Sequence, residues 1–412
     1  MRTQLDDVMT LSAAGAPPKF LLPMQTGALA ALGLASGLGV LNLALTAFVP
    51  LLWAWSSNRW QAWLGMALYY AFASWTLVPS YVEYLQLGMG AALVSVGLWM
   101  AAAILSALPW AILFRADRRW TMVRLGLIAI LTTMPPLGWF QWMSPFLGLA
   151  YLSPLQGWVA VVVGMGVLAL LIHHPSRLWM AFPLIALAAV WAPADREGLH
   201  GWGAIAIART TTGLNIGEKA GSSAGARGPG RWHNAEGFVQ TFEGLRGAAR
   251  EAASRELRVA VLGESAGGED LEGARLALGH SSRTIFVVGG SQRVGQGAQA
   301  QLWVFGTGAE PGTVAYRQRT PAPIVSGQLP TLGGPVTITI DGRTIAPLIC
   351  YEGLTAWALA SALWARPEAL VLVSNTAWSS LDRFAHAQLA SHLQAWGRLF
   401  GVPTLIASNR AP

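Results

Sequence analysis

Two short stretches could do covalent chemistry. The first is Ile349-Cys350-Tyr351-Glu352, in context APLICYEG, which holds the only cysteine in 412 residues. The run RTIAPLIC reads as a strand and a helical pattern begins after Glu352, so the thiol stands where an α/β fold displays a reactive side chain. At such a strand end the N–H of the following residue, Tyr351, can help bind an oxyanion. A thiol becomes a useful nucleophile only when a base or a nearby positive charge holds it as thiolate. Other strands should therefore supply a carboxylate and a cation. The second stretch is VLGESAGG, where Ser265 satisfies G-x-S-x-G after a strand, the pattern of a nucleophile elbow. Bland readings compete with both: free cysteine is a common small buried hydrophobe, and a chain with 46 glycines meets short glycine motifs by chance.

The elements that must position these residues change character along the chain. Hydrophobic residues make up 53% and charged residues 11%, against about 25% charged in ordinary soluble domains. Most of the charge lies beyond residue 200. This predicts a polytopic α-helical membrane domain over 1–195 joined to a soluble domain over 196–412. Apolar runs near 26–41, 43–56, 61–79, 88–113, 121–142, 155–172 and 177–192 read as about seven spans. Arg59, Arg115, Arg118, Arg119, Arg124 and Arg177 fall in alternate loops, while loops 80–87 and 143–154 carry no Lys or Arg. The positive-inside rule makes the basic loops cytoplasmic. Seven spans then place residue 196 onward in the periplasm of a Gram-negative cell, with the chain multi-pass in the inner membrane.

Composition also excludes. A single cysteine forms no intramolecular disulfide and no Cys-rich zinc site. Seven histidines without ligand spacing predict no metal, and no phosphate-binding or dinucleotide glycine loop predicts a cofactor. The net charge of +7 suits membrane orientation better than nucleic acid, because no basic stripe with interleaved aromatics accompanies it.

Past residue 196 the period shortens. Strand-like runs such as LRVAVLGES, RTIFVVGGS, QLWVFGT, TVAYRQR, RTIAPLICYE, ALVLVSN and PTLIASN alternate with helical patterns over 233–255, 268–279, 354–365 and 382–400. Asp341-Gly342 between two strand-like runs signals a hairpin. The sum is an α/β layered domain, with a Gly/Ser-rich loop over 217–232.

The motifs then carry a resemblance. APLICYEG, LVLVSNTAWSS, FAHAQLASHLQAWGRLFGVP and TLIASNR together resemble the carbon–nitrogen hydrolase (nitrilase) superfamily. Its membrane branch, the apolipoprotein N-acyltransferases, matches more closely, and TTGLNIG near 211–217 resembles that domain's opening strand. The shorter TraB-type conjugal-transfer proteins match best in length. The resemblance implies an α-β-β-α sandwich and a Glu–Lys–Cys triad. Cys350 matches the cysteine, with Tyr351 and Glu352 following as in the acyltransferases. Glu264 matches the glutamate, with Gly263 where proline is common. Asn375 and Trp378 lie in the segment that lines the family's site, and His386 matches a histidine of its following helix.

The lysine is missing. The matching segment runs Tyr316-Arg317-Gln318-Arg319, with Gln318 at the lysine position, and the chain's two lysines are Lys19 and Lys219. A further family glutamate is also absent, with Ser326 near its place. On a strand alternate side chains share a face, so Gln318 should point into the site while Arg317 and Arg319 point away; a bulge would reverse this. Arginine supplies charge but cannot shuttle a proton.

The expectation is a membrane-bound, cysteine-dependent acyltransferase or amidase. In it Glu264 moves the proton, and Tyr351 N–H with Arg317, Gln318 or Arg319 steadies the oxyanion. The resemblance implies a phospholipid or other acyl donor, a membrane-linked protein acceptor and a conjugation-apparatus partner. The alternatives are a non-catalytic scaffold that keeps the fold, and a serine hydrolase at Ser265. The latter resembles the carboxylesterase signature but lacks an HGGG-type loop, and His386 and His392 sit inside a helical pattern.

Overall fold

The structure is a computed structural model. It describes residues 21–38, 43–85, 89–117, 120–140, 142–152, 156–174, 199–207, 235–278, 283–294, 297–306, 312–322, 330, 332–376 and 381–409. The expected span 177–192, the loop 217–232, the 211–217 strand and Trp378 lie outside these residues. The chain divides into two units, Met1–Val78 with Met89–Ala192, and Pro79–Gly88 with Pro193–Pro412.

The first unit is helical. Its helices are α1 (Leu21–Gly37), α2 (Phe48–Ala54), α3 (Arg59–Ala73), α4 (Leu77–Leu85, which crosses into the second unit), α5 (Met89–Ile112), α6 (Thr121–Thr133), α7 (Leu149–Leu152) and α8 (Gly157–His173). Among the described residues one segment, Ala92–Ile112 within α5, is long and apolar enough to cross a membrane. The stretch Leu43–Ala54, α6 and α8 are apolar but shorter.

This unit is apolar outside as well as inside. Met89, Leu93, Ile112, Ile130 and Val159 are exposed. Several polar side chains pair with one another or with backbone in the interior. Gln61 Nε2 donates to Gln25 Oε1 at 2.6 Å, and Gln25 Nε2 donates to Ser56 Oγ at 2.9 Å. Tyr69 donates its hydroxyl to the Met143 carbonyl at 2.9 Å.

The second unit contains two sheets between helices. Sheet one has the order β1 (Trp202–Ile205), β2 (Val259–Leu262), β3 (Ile285–Val294), β4 (Gly297–Phe305), β5 (Thr313–Arg317). Its first three strands are parallel and the last two antiparallel. Sheet two has the order β6 (Ile338–Ile340), β7 (Arg343–Ile349), β8 (Ala369–Asn375), β9 (Thr404–Asn409). There a β6–β7 hairpin precedes parallel β7, β8 and β9. Asp341 and Gly342 turn that hairpin with φ of 51° and 72°, the two positive values a type I′ turn needs.

Alternation explains the layering. Val259, Val261, Ile345, Ile349, Val371 and Val373 project into one core shared by both sheets. Ala260, Leu262, Phe286 and Val288 project the other way, against α9 (Ala235–Ser254) and α10 (Leu271–Leu278). On the far face of sheet two lie α11 (Ala356–Trp364) and α12 (Asp382–Phe400). The parallel strands are buried on both faces and so read as continuous apolar runs. The result is the expected α-β-β-α sandwich, in which β2 and β7 finish at the same end.

Candidate active site

β7 delivers Cys350 as the first residue of a 3₁₀ turn, Cys350–Leu354. Its φ is +51°, a left-handed conformation that costs a non-glycine residue about 1–2 kcal/mol. Glu352 holds this turn. Its carboxylate, fully buried, accepts from the N–H groups of Ile349 at 2.9 Å, Arg319 at 2.7 Å and Thr320 at 3.0 Å. The Tyr316 hydroxyl donates to both carboxylate oxygens at 3.0 Å. Burial raises the Glu352 pKa, and the Ile349, Thr320 and Arg319 N–H groups and the Tyr316 hydroxyl oppose that rise. Four donors around one carboxyl group suit an ionised acceptor. Glu352 thus ties the end of β5 to the nucleophile turn.

Glu264 stands two residues beyond β2. Its N–H donates to the Ser374 carbonyl at 3.2 Å, and its Oε2 accepts from the Asn375 N–H at 3.2 Å. Asn409 Nδ2 donates to the Glu264 carbonyl at 2.7 Å. These bonds cross from sheet one to the ends of β8 and β9. Gly263 makes the crossing possible: a Cβ there would sit 2.6 Å from Asn409 Oδ1 and 2.7 Å from its backbone nitrogen. That steric demand accounts for glycine where the resembling family favours proline.

The acid and the thiol meet. The Glu264 carboxylate and the backbone N–H groups of Tyr351 and Asn375 lie near enough to the Cys350 thiol to shift its proton equilibrium. Cys350 as a residue keeps partial solvent access. Burial of the sulfur first, and the charge of Glu264 second, push the thiol pKa well above its ordinary value. The resting group is therefore S–H beside a carboxylate, an arrangement for proton transfer during attack rather than for a standing thiolate.

Gln318 faces the nucleophile strand. Its Nε2 donates to the Ile349 carbonyl at 2.9 Å, one residue before the thiol. The two arginines part company. Arg317 ends β5 with an exposed side chain. Arg319 is buried, with its Nη2 3.5 Å from Ser361 Oγ on α11. The expectation that both share one outward face fails because β5 ends at Arg317, and strand alternation does not extend to residue 319. The charge acting on the sulfur is that of Glu264; neither guanidinium is among the groups that shift it.

The structure thus gathers Glu264, Cys350, Tyr351, Gln318, Glu352 and Asn375, and sets the guanidiniums of Arg317 and Arg319 apart. Sequence reasoning missed Asn409 and Tyr316 as partners. Both stand in stretches already singled out, ASNR and YRQR, yet nothing local shows what they reach. Ser265 also has a positive φ, 62°, as an elbow would. However, the fully buried imidazole of His392 is bonded to the Gly353 carbonyl at 2.7 Å, in the Cys350 turn. Among the described residues no cluster of His, Cys, Asp or Glu could hold a metal.

No protein-family model matches the chain. It is 30% identical over 387 residues to the conjugal transfer protein TraB of Agrobacterium fabrum, covering 87% of this chain and 86% of that one. It is 25% identical over 402 residues to a probable conjugal transfer protein TraB of Sinorhizobium fredii, covering 91% and 94%. Among solved structures, an amidase from Nesterenkonia sp. AN1 aligns with 42% of this chain and 73% of its own at 16% identity and a TM-score of 0.33. A carbon-nitrogen hydrolase from Helicobacter pylori G27 aligns with 42% and 68% at 13% identity and a TM-score of 0.34.

Proposed function

The chain belongs to the family of TraB conjugal transfer proteins, and from that premise we propose that it is a membrane-bound, cysteine-dependent acyltransferase or amidase. The single observation that carries the reading is the convergence of Glu264, just beyond β2 of sheet one, on Cys350 at the end of β7 of sheet two, near enough for the carboxylate to shift the thiol. Cys350 Sγ attacks an ester or amide carbonyl as Glu264 takes the thiol proton. The N–H of Tyr351 steadies the oxyanion. As the carbon–oxygen or carbon–nitrogen bond breaks, Glu264 returns the proton to the leaving group. An amine or water then attacks the thioester, gives its proton to Glu264, and the sulfur departs and is reprotonated.

A membrane setting is supported by the first unit, which exposes many large apolar side chains and pairs several polar ones in its interior. A helix apolar all round suits lipid or a large core, and Ala92–Ile112 has the length to cross. The multi-pass arrangement, the periplasmic placement of the second unit, a phospholipid donor and a membrane-linked acceptor within a conjugation apparatus complete the proposal.

Gln318 in the place of a lysine favours a second reading, a scaffold that keeps the fold without turnover. Treating the purified full-length chain with an acyl-ester probe and a fluorophosphonate separates the readings. Labelling that disappears in Cys350→Ala and survives in Ser265→Ala supports the proposal. Labelling lost in Ser265→Ala instead points to serine chemistry, and an unlabelled wild type points to the scaffold.

A further inference from the structure

The nucleophile turn is also touched by a buried histidine from α12. His392 lies on α12 and is fully buried. Its Nδ1 is 2.7 Å from the Gly353 carbonyl oxygen. A carbonyl can only accept, so Nδ1 carries the hydrogen and Nε2 is a bare acceptor. Nε2 is buried with no hydrogen-bond partner among the described residues. Burial lowers the His392 pKa to about 4, so the ring is neutral.

An interior position that needed only bulk would be filled without stranding an acceptor. What the imidazole provides is the one N–H it donates, and that N–H falls on the turn that begins with Cys350. The contact is close by construction. A Cβ on Gly353 would lie 2.9 Å from Leu372 Cδ1 of β8 and 3.3 Å from Leu389 Cδ2 of α12. The turn is therefore seated against both elements with no side chain between. Glu352 fixes it from the β5 side and His392 from the α12 side.

We propose that His392 is a positioning residue, a neutral latch whose Nδ1–H holds the Gly353 carbonyl and so keeps the Cys350 sulfur against Glu264 and the Tyr351 N–H. The inference rests on Cys350 as nucleophile. It explains how a strained left-handed cysteine stays seated. Without the latch the turn relaxes, water reaches the sulfur, and the thiol drifts toward ordinary cysteine behaviour.

The test is the pH profile of Cys350 alkylation by iodoacetamide in the purified full-length chain, read beside acylation by an ester probe. In the wild type the alkylation inflection should lie well above the free-thiol value of about 8.5. His392→Leu should move it down toward that value and slow acylation at least tenfold. His392→Asn places an amide N–H near the position of Nδ1 and should keep the wild-type profile despite leaving a larger void. An unshifted His392→Leu profile overturns the latch. So does a ranking in which Leu outperforms Asn, the order that simple packing gives. If His392→Leu does not fold, His392→Gln, whose N–H lies farther along the side chain, takes its place with the same expectations. A wild type that alkylates but never acylates removes the proposed function, while the alkylation profiles still decide the latch.

Discussion

At the scale of single residues, Glu264 plays two parts that pull the thiol in opposite directions. Its charge raises the pKa of Cys350, yet as a base it accepts the proton when Cys350 attacks. Glu264→Gln should therefore slow acylation by about 10²–10⁴ while speeding iodoacetamide alkylation near pH 8, because more thiolate forms. Equal losses in both assays would count against the base role. Gln318 gives the complementary test. Gln318→Lys brings an ammonium toward the Ile349 carbonyl beside the sulfur. It should lower the thiol pKa by about one unit, or roughly tenfold more thiolate, and raise acylation in step. An unchanged alkylation profile would show that position 318 does not reach the sulfur.

At the scale of elements, the turn Cys350–Leu354 is held from β5 and from α12, and each hold has a measurable price. Glu352→Gln turns one accepting oxygen into an NH₂ among four donors. The loss should be about 3–5 kcal/mol of stability in denaturant titration, the range for breaking a buried charged network. His392 has the opposite signature, in acid. Its folded pKa of about 4 lies below the unfolded value near 6.5, so the unfolded chain binds more protons between those limits. The stability of neutral burial is full above pH 6.5 and falls as the pH drops toward 4, by about 3 kcal/mol. Thermal melts from pH 7 to 4 should show a shallower decline in His392→Leu than in the wild type.

These holds also mark how far the sequence could be read. The strand ending at Cys350, the hairpin at Asp341-Gly342 and the acid at Glu264 are local patterns or motif matches, and each is legible. The bond from Asn409 to Glu264 spans 145 residues and that from His392 to Gly353 spans 39. Both depend on how two sheets and a helix register, which periodicity does not report. The divergence of Arg317 and Arg319 was hidden for a smaller reason, that β5 stops between them.

At the scale of the molecule, the lone cysteine makes the proposed topology testable. In intact cells with a permeabilised outer membrane, a charged, membrane-impermeant maleimide at high pH should label the wild type and spare Cys350→Ala. Labelling that requires inner-membrane lysis would place the second unit in the cytoplasm instead. The chain should also stay with membranes through an alkaline carbonate wash and leave them only in detergent, as an apolar outer face on the first unit demands.

The two sheets are tied unequally along their length. Where β2 and β7 finish, Glu264 is bound to Ser374, Asn375 and Asn409. Where those strands begin, the shared apolar core is flanked by an exposed ion pair between Arg258 and Asp341, a kind worth little in water. The polar ties between the sheets are therefore concentrated beside the sulfur, and it is there that they hold the reacting atoms in register.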